Sequence, residues 1–90
     1  MEKEKLFESE EDVIVSLEEK KLILYNDEVN TFDFVIQTLM EVCGHDSIQA
    51  EQCTYIVHYK GKCVVKTGVY DELKPMSEEM TRRKLTVKLI

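Results

Sequence analysis

Residues 22–34, L-I-L-Y-N-D-E-V-N-T-F-D-F, join two apolar elements through a polar turn and therefore decide how the fold begins. The run Leu22–Tyr25 is short and aliphatic and ends in polar residues, which predicts a β-strand. The polar segment holds Asn26, Asp27 and Glu28, of which two are anionic. These side chains are suited either to a turn alone or to a turn that also holds a cationic group.

The second apolar series, Phe32–Cys43, has the spacing of an amphipathic helix. Thr31 is its predicted N-cap, and Gly44 is its predicted stop. The apolar arc of this helix contains Phe32, Val35, Ile36, Leu39, Met40, Val42 and Cys43. The residues predicted to face away from the core are Asp33, Gln37, Thr38 and Glu41. Phe34 also falls on the polar arc, where it either meets another element or marks a contact surface.

A second helix is predicted to begin after Asp46, because Gln49 follows this N-cap residue at the spacing of a capping box. Its apolar stripe contains Ala50, Cys53, Thr54 and Val57. Gly61 is expected to end the helix. His58 lies at the edge of the stripe, where it is either a boundary histidine or a functional one. His45 lies in the connection before the helix and is predicted to be exposed.

The rest of the chain predicts a strand at 62–67, a third helix and a final alternating strand at 85–90. Proline costs about 3 kcal/mol in a helix interior, so we expect a turn at 69–73 and a helix that starts near Pro75. The predicted order is strand, helix, helix, strand, helix, strand. This order is typical of an α+β fold in which helices cover one face of a small sheet.

The chain of 90 residues fits one domain, which we place at residues 21–90. Residues 1–20 are expected to form an acidic tail that is partly mobile. The only apolar patch in this tail is 13–15, V-I-V, which either docks as an edge strand or stays mobile.

Composition excludes several classes of partner. The formal net charge of -6 disfavours nonspecific binding to nucleic acid, where Lys and Arg supply most of the affinity. No apolar run approaches the ~20 residues that span a bilayer, so no membrane association is expected. The charged N-terminus has no apolar signal core, and the cytoplasm is therefore the expected location.

Cysteine spacing and motif content argue against a metal site or an enzyme. Cys43, Cys53 and Cys63 form no C-x-x-C pair, so zinc is not expected. A disulfide framework is not expected in a cytoplasmic chain, and buried free thiols are predicted. No serine is framed by glycines, and no glycine-rich loop is suited to a phosphate. The sequence therefore predicts a noncatalytic protein without a metal or another cofactor.

Two motifs in this chain resemble the ClpS family, whose members are adaptors of the Clp AAA+ protease in the N-end rule of protein degradation. The motifs are L-Y-N-D-E-V-N-T-F-D-F-V at 24–35 and V-H-Y-K-G-K at 57–62, and the resemblance covers about 20–90. It implies a three-stranded antiparallel sheet covered by three helices. It also implies a monomer that binds N-degron substrate proteins and the N-terminal domain of an AAA+ Clp chaperone.

In this family, the residues that match Asn26, Asp27 and His58 bind the free α-amino group of the substrate. This group is mostly an ammonium at neutral pH, because its pKa is about 7.7–8.0, and it needs acceptors. An amide oxygen, a carboxylate and a neutral imidazole nitrogen all supply them. A protonated His58 would offer no acceptor and would repel the ammonium, so we expect binding to weaken in acid.

The resemblance also implies an apolar pocket for the first side chain, usually Phe, Tyr, Trp or Leu. The matching positions are Phe32, Val35, Thr54, Val57 and Leu85, and these residues would suit a plain core equally well. Phe32 and Thr54 stand where many family members have Met, and Thr31 stands where many have Pro. A larger ring at one position and a smaller polar side chain at another would reshape the pocket.

Two other functions stay open on the sequence alone. The small αβ layer also resembles the C-terminal domain of the ribosomal stalk protein, which would make this chain an interaction domain without N-terminal peptide recognition. That domain lacks the N-D and V-H motifs. An enzyme that uses His58 as a general base or phosphoryl acceptor is disfavoured, because Asp27 and Glu28 would repel a phosphate.

Overall fold

The computed structural model describes residues 9–10 and 17–90. The strands are β1 (Lys20–Tyr25), β2 (Lys62–Gly68) and β3 (Thr86–Leu89). The helices are α1 (Phe32–Cys43), α2 (Ser47–Lys60) and α3 (Tyr70–Arg82). The predicted order of elements and the α+β class are therefore confirmed. Most of the predicted tail, including its apolar patch at 13–15, lies outside the described residues.

The sheet has the order β2-β1-β3, and both pairings are antiparallel. Leu22 and Leu24 lie on the helix-facing side of the central strand and are almost completely buried. Beyond the end of β1, the backbone N–H of Asn26 donates to the carbonyl oxygen of Gly61 at 2.9 Å. This bond holds the start of the polar loop beside the end of α2.

Helix caps form where the sequence predicts them. The Thr31 hydroxyl accepts from the backbone N–H of Phe34 at 3.1 Å, and an Asp46 carboxylate oxygen accepts from that of Gln49 at 2.7 Å. Gly44 ends α1 with φ 72°, a left-handed conformation that glycine adopts without steric cost. These caps fix where α1 and α2 begin, and thereby where their side chains face the polar loop.

The predicted start of the third helix is wrong, because Pro75 is the sixth residue of α3 rather than near its first. The helix begins earlier since the backbone N–H groups of Glu72 and Leu73 both donate to the carbonyl oxygen of Val69. Leu73 is 0% exposed, and complete burial of a leucine side chain stabilises by about 1.5–3 kcal/mol. This packing offsets much of the cost of one proline inside the helix.

The exposure predicted for Thr38 is also wrong, because this residue is 0% exposed. Helix α1 contacts α3 as well as the sheet and α2, so its polar side is partly covered. Phe34 packs on the core from this side, and an Arg83 nitrogen lies 2.8 Å from a Glu41 oxygen. The part of the polar arc around Thr38 is therefore an interface with α3, whereas Asp33, Gln37 and Glu41 are exposed as predicted.

His45 is buried as well, contrary to the prediction of an exposed residue. Its Nε2 atom lies 2.6 Å from the carbonyl oxygen of Val65, which requires a proton on that nitrogen. The connection between α1 and α2 thus packs beneath β2. Among the cysteines, Cys43 is buried as predicted and burial raises the pKa of its thiol to about 11, whereas Cys53 and Cys63 are half-buried.

Between residues 17 and 90, no helix combines the length and apolar character needed to cross a membrane.

Replacement of Thr38 by Val is expected to stabilise the fold. The Thr38 hydroxyl is buried and has no hydrogen-bond partner among the described residues. An unsatisfied buried hydroxyl costs about 1–3 kcal/mol, so Thr38→Val should raise the free energy of unfolding in urea by about 1 kcal/mol. The control Thr54→Val removes a hydroxyl that donates to the Ala50 carbonyl at 2.8 Å and should give no gain. A Thr38→Val variant no more stable than its parent would contradict this account.

Candidate functional site

A cavity of about 280 Å³ opens between the polar loop at 26–30, the first turns of α1, one side of α2 and the residue before β3. All of the predicted site residues line this cavity: Asn26, Asp27, Phe32, Val35, Thr54, Val57, His58 and Leu85. Leu24, Tyr25, Glu28 and Asn30 complete its lining. The fold thus brings together residues from three separate parts of the chain.

The cavity is apolar and buried at its base and polar at its mouth. Val35, Thr54, Val57 and Leu85 are all buried, with exposed fractions between 3% and 9%. Asn26 and His58 are exposed at the mouth. A single ligand with one apolar and one polar end would match this gradient.

Thr54 contributes little polarity to the base despite its hydroxyl. That hydroxyl donates to the carbonyl oxygen of Ala50, one turn earlier in α2, at 2.8 Å. The Thr54 hydroxyl proton is therefore already hydrogen-bonded within α2, and a ligand does not have to supply an acceptor for it. Thr54 therefore lines the base of the cavity without making it hydrophilic.

Asp27 organises the polar loop through its carboxylate. One carboxylate oxygen accepts from the backbone N–H groups of Val29 and Asn30, each at 2.8 Å, and the other accepts from the Asn30 side chain at 2.9 Å. Partial burial acts to raise the pKa of Asp27, but these hydrogen bonds outweigh it and hold the pKa below its usual value. The loop is thus a side-chain-stabilised turn that keeps an anion at the cavity.

Asn30 is a part of the site that sequence reasoning missed. Its side-chain Nδ2 donates to Asp27 and, at 3.0 Å, to the carbonyl oxygen of Lys84. Because both partners are acceptors only, they fix which end of the amide is the nitrogen. Lys84 precedes the lining residue Leu85, so Asn30 ties the polar loop to the connection between α3 and β3. The signal available in the sequence was an Asx-turn pattern with Asp27 at its first position.

The charge at the mouth favours a cation. Asp27 and Glu28 line the cavity, and none of the described lining residues is Lys or Arg. Between residues 17 and 90, no group of three His, Cys, Asp or Glu side chains is placed to hold a metal ion. An organic cation that donates hydrogen bonds fits the mouth better than an anion, which the two carboxylates would repel.

The fold agrees with that of a solved structure, Agrobacterium tumefaciens ClpS2 bound to L-phenylalaninamide. The two structures superpose with a TM-score of 0.68 over 80% of this chain and 94% of the other, at 19% sequence identity. At this identity the likeness shows the fold alone.

Sequence comparisons also identify relatives that are named ClpS. A protein of Syntrophus aciditrophicus called ATP-dependent Clp protease adapter protein ClpS is 36% identical over 61 residues, or 68% of this chain and 57% of that protein. This chain therefore matches little more than half of that relative's length. A protein of Thermosynechococcus vestitus with the same name is 34% identical over 68 residues, or 74% of this chain and 72% of that protein.

The sequence pattern of one protein family matches most of the chain, residues 16–88, and this family is described as ATP-dependent Clp protease adaptor protein ClpS. The match contains both motifs from which the resemblance was inferred and all of the residues that line the cavity. This chain therefore belongs to the ClpS family of Clp protease adaptor proteins.

Proposed function

We propose that this chain is a noncatalytic adaptor that binds the free N-terminal α-amino group and the bulky apolar first residue of substrate proteins. It then delivers these substrates to a Clp AAA+ unfoldase–protease for degradation. The observation that carries the proposal is the single cavity with acceptors for an amine at its mouth and an apolar base. Membership of the family supports it, as does the L-phenylalaninamide bound to ClpS2 in the solved structure.

The mouth offers the three kinds of acceptor that an α-ammonium group needs. Asn26 supplies an amide oxygen, Asp27 a carboxylate and neutral His58 a ring nitrogen, which together match the three N–H donors. Asp27 already accepts three hydrogen bonds from its loop, but a carboxylate has about four acceptor sites, so it can accept another. The low pKa of Asp27 keeps this carboxylate charged at neutral pH.

The base of the cavity is large enough for one bulky side chain. A dry cavity on the order of 150 Å³ lined by apolar residues holds a benzene molecule. The cavity here is about 280 Å³, and the excess leaves room for an amino group and the first peptide unit. A phenylalanine or leucine at the first position would bury its side chain against Val35 and Val57 while its amine stays at the mouth.

The partners follow from the same proposal. We infer that the unfoldase is recognised through its N-terminal domain, that the adaptor acts as a monomer, and that it works in the cytoplasm with neither membrane nor nucleic acid. The binding role uses Asn26, Asp27 and His58, which line the mouth of the cavity.

Peptide binding should require a free amine. Fluorescence anisotropy would compare labelled peptides that begin with Phe, Leu, Ile, Ala or N-acetylated Phe. The peptides that begin with Phe or Leu should bind. Acetylation of the amine, Asn26→Ala and His58→Ala should each weaken this binding more than tenfold, because a hydrogen bond to a charged group is worth about 1.5–3 kcal/mol. Gln49→Ala, an exposed change at the start of α2, should leave the affinity unchanged. Equal binding of acetylated and free Phe would refute the amine site.

The same binding should weaken as the pH falls from 7 to 5, because a protonated imidazole at position 58 would offer no acceptor and would repel the ammonium. Asp27 does not explain this loss, since its lowered pKa keeps the carboxylate ionised over the whole range. His58→Gln retains an acceptor oxygen but does not titrate, so the affinity of this variant should vary much less over the same range. A wild-type affinity that is the same at both pH values would count against a direct contact between His58 and the amine.

Asn30→Ala should weaken binding although Asn30 need not touch the ligand. The change removes the hydrogen bonds that tie the loop to Lys84 and that help to hold Asp27. We expect affinity for a Phe peptide to fall about three- to tenfold and the pKa of Asp27 to rise, as measured by anisotropy and by NMR titration of the carboxyl carbon. If neither quantity changes, Asn30 does not position the site.

A further inference from the structure

Four aromatic rings form a cluster at one side of the cavity mouth, and only two of them line the cavity. Phe32 lies edge-on to Tyr55 with 4.9 Å between ring centroids, and edge-on to His58 at 5.7 Å. His58 in turn lies edge-on to Tyr59 at 5.0 Å. The Tyr55 and Tyr59 rings are nearly parallel, with an interplanar angle of 3° and centroids 6.1 Å apart. We call Tyr55 and Tyr59 the tyrosine platform.

Core packing does not account for the tyrosine platform. Tyr55 is 47% exposed and Tyr59 is 75% exposed, and neither belongs to the hydrophobic core or packs against it. Both lie on the outward side of α2, on which Ile48 and Ile56 are also exposed. Aromatic side chains that remain exposed and are held in place by neighbouring rings are typical of contact surfaces.

The position of the platform identifies what covers it. Phe32 and His58 belong to the cavity and also hold the two tyrosines, so the platform continues the cavity surface without a break. Any polypeptide whose first residue fills the cavity must pass over this mouth. Consecutive Cα atoms are about 3.8 Å apart, and alternate side chains on one face of an extended chain are about 6.6 Å apart. The second and third residues are therefore within reach of Tyr55, which lies 4.9 Å from Phe32, and of Tyr59, which lies 5.0 Å from His58.

We propose that the tyrosine platform is a second recognition subsite, which binds an aromatic or other planar side chain at the second or third residue of the substrate. This inference rests on the proposed function, because the first residue of the same chain must occupy the cavity. The loop at 26–30 is polar except for Val29, and Tyr25 just before it lines the cavity itself. Selectivity for the residues after the first is therefore expected to come from Tyr55 and Tyr59.

The contact would add affinity through ring geometry as well as burial. An aromatic pair in an edge-to-face or offset-stacked arrangement changes affinity about three- to tenfold beyond its buried area. The two tyrosines are already ordered by Phe32 and His58, so a peptide loses little to fixing them in place. A small side chain such as serine at the same position would gain none of this contact.

The test compares three labelled peptides that begin Phe-Ser-Ser, Phe-Tyr-Ser and Phe-Ser-Tyr and are otherwise identical. With the wild-type protein, at least one tyrosine peptide should bind three- to tenfold more tightly than Phe-Ser-Ser in fluorescence anisotropy. This ratio should fall towards one in Tyr55→Ala. It should fall only partly in Tyr55→Leu, which keeps an apolar side chain against Phe32 but loses the ring. The control Tyr70→Ala removes a tyrosine of similar exposure, 42%, from α3 and should leave the ratio unchanged.

The outcomes separate this inference from the proposed function. If Phe-Ser-Ser binds with a free amine and tyrosine gives no gain at either position, the subsite is refuted while the adaptor proposal stands. A gain that persists in Tyr55→Ala would likewise refute the platform as its cause. If none of the peptides binds, the proposed function fails and the subsite fails with it. Because each variant is judged by a ratio of two peptides, a change at the first-residue pocket does not imitate the effect.

Discussion

The Asp27 carboxylate accepts three hydrogen bonds from the residues just after it, and the rest of the site depends on this turn. These bonds shape the loop between β1 and α1, and they lower the pKa of the carboxylate, so one arrangement supplies both geometry and charge. The Asn30 side chain also donates to the carbonyl oxygen of Lys84, which ties this turn to the connection between α3 and β3. A turn and the proposed cation site are therefore compatible, because the hydrogen bonds that form the turn also hold the carboxylate at the cavity.

The cavity exists because three distant parts of the chain end at the same corner of the fold. Strand β1 occupies the centre of the sheet, and its last residues lead directly into the loop beside Gly61 at the end of α2. Helix α2 contributes Thr54, Val57 and His58, each one turn or less from the next. Leu85 enters from the connection after α3. Because these parts of the chain meet at one corner, the cavity has an apolar base and a polar mouth.

Features set by neighbouring residues could be predicted from the sequence, and features set by tertiary packing could not. The caps at Thr31 and Asp46 depend on donors three residues away, so their patterns were sufficient. Thr38 was misplaced because α1 packs against α3 on the side of this residue, and no periodicity within α1 reveals that contact. The start of the third helix was misplaced for a related reason, since the burial of Leu73 offsets much of the cost of Pro75 inside the helix.

The candidate site shows the same division between local and long-range information. The five apolar-pocket positions were proposed through family resemblance, whereas the sequence alone fitted a plain core equally well; they are Phe32, Val35, Thr54, Val57 and Leu85. Asn30 was missed because one of its two partners, Lys84, lies 54 residues away. The tyrosine platform was also missed, because the contact of Phe32 with Tyr55 depends on how α1 meets α2.

The central claim is that a free amine and its apolar side chain occupy this one cavity, and an NMR titration with L-phenylalaninamide tests it most directly. In ¹H–¹⁵N spectra at neutral pH, the account predicts that the largest shifts occur at the backbone amides of 26–30, 54–58 and 85, and that they saturate together. Shifts confined to another surface, such as that around the exposed Val64 in β2, would contradict the account, and so would the absence of shifts at millimolar ligand.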